Sequence, residues 1–122
     1  MKNLIPFSVS SSLIGPQALG VRINGELDRF TASDVLEELK SIPEDVHYVL
    51  ADLTGMTFMD STGMATLLTI ARRLAARSGT MMLVVDDWSV LRALELTGLG
   101  HYFELRDDYD LAAREFVELA MH

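Results

Sequence analysis

Apolar residues alternate with polar ones in two short runs near the start of the chain. Residues 7–13 and 19–23 place an apolar side chain at almost every second position, and Gly15-Pro16 lies between them. A period of two with a turn signal in between predicts a hairpin of half-buried strands. The runs 46–53 and 80–85 are densely apolar, which is typical of strands covered on both faces. Residues 102–105 predict one further, brief edge strand.

Between these strands the apolar positions recur with the period of an amphipathic helix. The sequence Thr31-Ala-Ser-Asp34 resembles a capping box and predicts the start of the first helix. Further helices are predicted over residues 61 to about 77, over 88–97 and after Asp108. The order is β-β-α-β-α-β-α-β-α, and strands separated by helices require right-handed crossovers. We therefore predict an α/β fold, a single domain over residues 1–122, with a mostly parallel mixed sheet, an N-terminal antiparallel hairpin and about four helices.

Composition narrows the chemistry that this fold supports. The 122 residues contain no cysteine, which excludes disulfides, zinc–thiolate sites and thiol nucleophiles. Ten basic and eighteen acidic residues give a net charge of −8, so nucleic-acid binding is not expected. The uncharged stretch 3–21 is interrupted by Pro6, Gly15 and Pro16, so it predicts neither a membrane span nor a secretory signal. We expect a cytoplasmic protein that does not contact the membrane.

Acidic and hydroxyl residues cluster after the predicted strands, where α/β proteins usually carry their function. The cluster Asp60-Ser61-Thr62-Gly63 opens the longest predicted helix. From position alone, Ser61 is favoured as the N-cap, with Asp60 complementing the positive helix end. Thr62 and Gly63 are then first-turn residues, and Gly63 permits close packing. The neighbouring Met56, Phe58 and Met59 are interpreted as core residues.

Other kinds of site receive less support from the sequence. The three histidines, at positions 47, 101 and 122, show no metal-ligand spacing, and there is no phosphate-binding P-loop motif. The segment Asp52–Thr57 (DLTGMT) resembles the nucleophile motif of haloacid-dehalogenase-like phosphatases, with Asp86-Asp87 as a possible magnesium pair. That family uses a lysine to neutralise the phosphoryl group, and the two lysines here, Lys2 and Lys40, do not lie at the ends of the parallel strands.

Three motifs in register resemble the STAS domains of bacterial anti-sigma factor antagonists. The segment 52–68, DLTGMTFMDSTGMATLL, is similar to the family pattern D-L-[ST]-x-[VM]-x-F-[IM]-D-[ST]-[ST]-G. The segment 25–32, GELDRFTA, is similar to its G-E-L-D block, and 94–99, LELTGL, to its late [LF]-x-[LM]-[ST]-G-L motif. The resemblance extends from the first hairpin to the last helix, and its α/β fold agrees with the element order. Trp88 departs from the pattern, because relatives often have proline there.

The resemblance implies a partner-switching regulator rather than an enzyme. In that family the unmodified protein binds an anti-sigma factor that is also a serine kinase, which releases the sigma factor; phosphorylation ends the binding and a separate serine phosphatase restores it. Carried onto this chain, the acceptor is Ser61, with Thr62 as the alternative, and the surroundings are Asp28, Asp60 and Gly63. No cofactor and no metal are implied. Some STAS domains are instead scaffold or sensor modules that are never phosphorylated, and this alternative stays open.

Overall fold

The computed structural model describes residues 5–40 and 42–121, and Lys2 and His122 lie outside this part of the chain. Its strands are β1 (Ser8–Gly15), β2 (Ala18–Leu27), β3 (Tyr48–Asp52), β4 (Met56–Met59), β5 (Thr80–Val84) and β6 (Glu104–Arg106). Its helices are α1 (Ala32–Leu39), α2 (Ser61–Ala75), α3 (Trp88–Thr97) and α4 (Tyr109–Ala120), with a 3₁₀ turn at Leu99–Tyr102.

The strands form one mixed sheet in the order β1-β2-β3-β5-β6. β1 is antiparallel to β2, and the remaining neighbours along this order are parallel. The predicted α/β class, the N-terminal antiparallel hairpin, the brief edge strand and the four helices are confirmed. The parallel arrangement follows from the helices, because each crossover returns the chain to the same end of the sheet.

The two faces of the sheet carry different helices. α1, α2 and α3 contribute to the larger core, in which they meet the odd-numbered residues of β3, Val49 and Ala51. α4 lies on the opposite face, where Phe116 packs against Leu50 and makes an edge-to-face contact with Tyr48, with ring centroids 5.5 Å apart. Alternation along a strand places Asp52 on the α4 side with Leu50.

The sequence analysis missed one strand. The sequence pattern predicts no element at residues 56–59, yet they form β4, which pairs in parallel with the second half of β2. The pattern does not alternate, because both terminal methionines are buried while Thr57 and Phe58 between them are exposed. A register shift between Gly25 and Glu26 accounts for this, since an irregularity in the ladder disturbs the period of two. The element order is therefore β-β-α-β-β-α-β-α-β-α.

Within residues 5–40 and 42–121, none of the helices is both long enough and apolar enough to cross a lipid bilayer.

Phe116 is the largest buried side chain that α4 packs against the sheet. Phe116 is fully buried, and with Ala112 it supplies the buried residues of that helix. We expect Phe116→Ala to lower the free energy of unfolding by about 3–5 kcal/mol, the usual range for a buried phenylalanine. Chemical denaturation of the two proteins measures this difference. Leu119→Ala is the matched control, because Leu119 is half exposed on the same helix and its removal should change stability much less; equal losses would contradict the assignment of Phe116 as the anchor.

Candidate functional site

The carboxyl ends of β2 and β4 lie side by side. Leu27 pairs with Met59 in the parallel ladder, and the Asp60 amide donates to the Leu27 carbonyl at 3.2 Å. Asp28 and Asp60 therefore follow immediately from two neighbouring strand ends. The structure brings together two sequence motifs, beginning at Gly25 and at Asp52, between which the chain forms one helix and one strand.

Gly63 lies directly against the end of β2. A Cβ atom on this residue would lie 2.5 Å from the Leu27 carbonyl oxygen and 2.8 Å from the Leu27 Cγ. No real side chain tolerates that distance to a backbone oxygen, so glycine is the residue that lets α2 begin here. This is the close packing that the sequence indicated for Gly63, and it fixes the position of the preceding residues of the first turn.

Asp60, not Ser61, is the N-cap of α2. The Asp60 backbone is extended, with φ −102° and ψ −173°, and its Oδ1 accepts from the Gly63 amide at 2.9 Å. The interpretation of Ser61 as the cap is therefore wrong, because the carboxylate one residue earlier already fills that role. Ser61 is the first residue of the helix. In the part of the chain that the structure describes, its hydroxyl makes no hydrogen bond.

The loop after β2 is held by Asp28 and Thr31. The Asp28 Oδ1 accepts from the amides of Phe30 at 2.8 Å and Thr31 at 3.2 Å. The Thr31 hydroxyl donates to the Glu26 carbonyl at 2.8 Å and accepts from the Asp28 amide at 3.0 Å. Thr31 thus occupies the N-cap position of α1 without a side-chain capping bond. The predicted capping box is wrong, since the side chain closes the loop instead.

The exposure of these residues differs along the first turn of α2. Ser61 and Thr62 are exposed, Asp28 and Asp60 are half-buried, and Gly63 is buried. The two hydroxyl residues are thus accessible, next to two carboxylates and to the free amide groups of a helix N-terminus. That end of the helix favours anions, whereas the two carboxylates oppose a further negative charge.

Two exposed aromatic side chains accompany this site, and the sequence analysis did not find them. Phe30, in the loop that Asp28 holds, is 74% exposed, and the Arg29 guanidinium lies 4.8 Å from its ring centroid. Phe58, on β4, is 47% exposed, so its assignment to the core is wrong, while Met56 and Met59 are buried as expected. The apolar character of Phe58 predicts burial, and only the irregular β2–β4 ladder shows that its side chain is exposed.

Asp52 lies behind this site and has a structural role. Its side chain is 6% exposed, its Oδ2 accepts from the Arg22 Nε at 3.2 Å, and its Oδ1 accepts from the Thr54 amide and hydroxyl at 3.0 and 2.6 Å. These bonds hold the turn between β3 and β4. The sequence comparison considered only the two lysines as cationic partners, whereas the structure places an arginine, Arg22, beside Asp52. Both carboxylate oxygens are nevertheless engaged.

The acidic pair after β5 has its own local role. Asp87 is the N-cap of α3 and accepts from the amides of Ser89 and Val90. The pKa of Asp87 is lowered, mainly because the Ser89 hydroxyl donates a hydrogen bond to the carboxylate. Burial acts in the opposite direction, and the two amides add to the lowering. Among the residues that the structure describes, no group of three or more His, Asp or Glu side chains is arranged to hold a metal ion.

Comparison with known proteins agrees with this geometry. The family model of the STAS domain matches residues 13–112 of this chain. The anti-sigma-B factor antagonist of Listeria monocytogenes is 30% identical over 90 residues, which cover 73% of this chain and 79% of that protein. Probable sulfate transporter 3.5 of Arabidopsis thaliana is 33% identical over 70 residues. These residues cover 57% of this chain but 11% of the transporter.

Solved structures share the fold. SpoIIAA, an anti-sigma factor antagonist, in its unphosphorylated form has a TM-score of 0.74 at 20% identity, covering 88% of this chain and 95% of that one. An anti-sigma factor antagonist from Mycobacterium paratuberculosis has a TM-score of 0.75 at 24% identity, covering 91% and 95%. The fold, the family model and the Listeria relative agree with the three motifs: the chain belongs to the STAS domain family, and its resemblance to the anti-sigma factor antagonists is confirmed.

Proposed function

We propose that this protein is an anti-sigma factor antagonist that binds an anti-sigma factor serine kinase, releases a sigma factor, and is switched off by phosphorylation at Ser61. One observation carries the proposal: Ser61 is exposed at the first position of α2, and its hydroxyl is unengaged because Asp60 caps the helix. The name of the Listeria relative supports the antagonist role. SpoIIAA, which shares the fold, has been solved in unphosphorylated and phosphorylated forms.

The position of Ser61 suits it to accept a phosphoryl group. A kinase must place the acceptor hydroxyl in line with the terminal phosphate of ATP, and a hydroxyl already used as a helix cap would first have to leave its partner. Ser61 has no such bond to break. Thr62 is exposed as well, but it lies about 100° further around the helix axis, so a surface that fits Ser61 does not present Thr62 equally. Ser61 is therefore the proposed acceptor.

Phosphorylation at this position should spare the fold and weaken the interface. The phosphate would add a charge of about −1.5 to −2 next to the free amides at the start of α2, which favour anions. The same charge would lie beside Asp60 and near the loop of Asp28, on a surface that must lose water when the kinase binds. Phosphorylation should therefore weaken partner binding rather than folding stability. A loss of about 3 kcal/mol lowers affinity more than a hundredfold.

The exposed ring of Phe30 provides an apolar contact next to this charged surface. Large aromatic side chains that become buried on association contribute strongly to binding, and Asp28 fixes the loop from which Phe30 projects. Asp28 therefore acts by orienting the loop as well as by its charge.

On this proposal the protein is a substrate and binding partner rather than an enzyme. It needs no cofactor, its single domain fills residues 1–122, and it acts in the cytoplasm, where sigma factors work, without direct contact with nucleic acid or membrane. A separate serine phosphatase would regenerate the unmodified form. The alternative of a scaffold module that is never phosphorylated uses the same surface, and the second prediction below distinguishes the two.

The first prediction from this proposal compares the stabilities of two variants, and so separates the helix cap from the phosphate acceptor. Asp60→Ala should lower the free energy of unfolding by about 1 kcal/mol, because the Gly63 amide loses its acceptor. Ser61→Ala should leave stability within about 0.5 kcal/mol of wild type, as expected for a surface change that removes no bond. Thermal and chemical denaturation measure both variants. The reverse order of the two effects would assign the cap to Ser61.

Our second prediction concerns the switch. With the anti-sigma factor kinase as partner, Ser61→Ala should bind as the unmodified protein does and accept no phosphate. Ser61→Asp should fold but bind at least a hundredfold more weakly, since it adds a charge beside Asp60. Thr62→Ala is the matched control and should still be phosphorylated. Titration calorimetry measures binding, and mass spectrometry after incubation with ATP locates the phosphate.

The results that contradict this proposal are specific. If Ser61→Asp binds as tightly as wild type, Ser61 does not control the interface. If the kinase binds but phosphate appears on neither hydroxyl, the protein is a module that is not phosphorylated. If phosphate appears on Thr62 alone, Thr62 and not Ser61 is the acceptor.

Our third prediction tests the phosphatase alternative. The purified protein should not hydrolyse a phosphate ester such as p-nitrophenyl phosphate in the presence of magnesium, because both oxygens of Asp52 are engaged by Arg22 and Thr54. Asp52→Asn should lower the thermal midpoint, since it weakens the contact with Arg22. Magnesium-dependent turnover that Asp52→Asn abolishes, in protein shown to be folded, would instead make Asp52 a nucleophile.

A further inference from the structure

An open cleft of about 420 Å³ lies on the α4 side of the sheet. It is lined by residues of β1, β2 and β3 and by the first residue of α4, among them Ser10, Ser12, Gly20, Arg22, Asp52 and Tyr109. Ser61, Asp28 and Asp60 do not line it. The cleft lies beside the apolar area that α4 covers, which includes Leu50, Met82 and Val84, on a polar part of the same face.

The cation in this cleft is held in place by a buried carboxylate. The Arg22 side chain is 60% exposed, whereas that of Asp52 is 6% exposed, and only the Arg22 Nε is used in their contact. Within the described residues, the two Nη groups of Arg22 make no hydrogen bond. A guanidinium anchored through Nε presents its remaining donors in a fixed plane, which fits the two oxygens of a carboxylate or phosphate.

Three hydroxyl groups complete the lining. Ser10 and Ser12 point to the same face of β1, where they pair with Arg22 and Gly20 across the ladder. The third is the hydroxyl of Tyr109. None of the three is hydrogen-bonded to any other residue that the structure describes. The three hydroxyls and the anchored guanidinium therefore border one cleft and are available there as hydrogen-bond donors.

Gly20 lies in the floor of the cleft. A Cβ atom there would lie 2.8 Å from the Ile14 Cγ2 and 3.7 Å from the Tyr109 hydroxyl oxygen. A side chain at this position would clash with Ile14, so glycine lets Ile14 and Tyr109 lie close to β2, between Ser12 on one neighbouring strand and Leu50 on the other.

We propose that this cleft binds a small molecule through a carboxylate or phosphate group, with Arg22 as the charged contact and Ser10, Ser12 and Tyr109 as hydroxyl donors. The carboxylate that lines the cleft, Asp52, is already paired with Arg22, so the remaining lining offers hydrogen-bond donors to an anion. The net charge of −8 repels anions at long range, so direct contacts must supply the affinity. The proposal is independent of the role of Ser61.

The test is a titration of ¹⁵N-labelled full-length protein, followed by NMR, with inorganic phosphate and with acetate at constant pH and ionic strength. We expect saturable shifts at the amides of the cleft residues and at the Arg22 Nε–H, and little change near Arg73, an exposed arginine on α2. Saturation with one probe and not the other identifies which oxyanion geometry fits. Shifts that remain linear with both probes, or that are equal at Arg73, would mean adventitious ion contact only and would overturn the proposal.

Variants connect the binding to these side chains. Ser10→Ala with Ser12→Ala leaves the Arg22–Asp52 contact intact, and Tyr109→Phe removes one hydroxyl; each should weaken binding about tenfold, as expected for lost hydrogen bonds to a charged group. Arg73→Gln, the charge-matched control, should bind as wild type does. Unchanged affinity in both hydroxyl variants would overturn the proposal. Arg22→Gln should abolish saturation, with a thermal melt to show that the protein is folded.

Discussion

The first turn of α2 lies so close to the last residues of β2 that a Cβ atom on Gly63 would contact the Leu27 carbonyl at 2.5 Å. The Asp60 amide bonds to the same carbonyl, which ends the β2–β4 ladder and starts the helix at one point. Two segments distant in sequence are thereby joined through backbone atoms. The positions of Asp28, Asp60 and Ser61 relative to one another depend on this joint, and none of them depends on a flexible side chain to bring it there.

The period of the apolar residues predicts the architecture because each long helix or strand buries one regular face. The alternation in residues 19–23 and the helical stripe after Ser61 both correspond to cores on defined sides of the sheet. It failed at β4, where a register irregularity beside Gly25 exposes two consecutive residues and leaves methionines buried at both ends. A local pattern cannot represent a partner strand that changes register, so the strand and the outward direction of Phe58 were missed together.

The sequence motifs locate the candidate site, whereas the role of each residue within it follows only from the structure. Ser, Thr and Asp are all acceptable N-caps, so the sequence Asp60-Ser61-Thr62 does not say which of them accepts the free amide. The same ambiguity explains Thr31, a good capping residue whose hydroxyl instead joins Glu26 and Asp28. The cation beside Asp52 was missed for a different reason: Arg22 lies on another strand, and only the parallel register places the two side by side.

Ser61 stands one residue inside the helix, and this has a consequence for how the two chemical forms of the protein would coexist. Because the Ser61 hydroxyl makes no hydrogen bond within the described residues, its modification breaks no contact that holds the fold. The amount of functional protein and its state of modification would then be set independently, the first by synthesis and degradation and the second by the opposing kinase and phosphatase. On the proposed function, the ratio of modified to unmodified protein would report the balance of the kinase and phosphatase activities, separately from the total amount of folded protein.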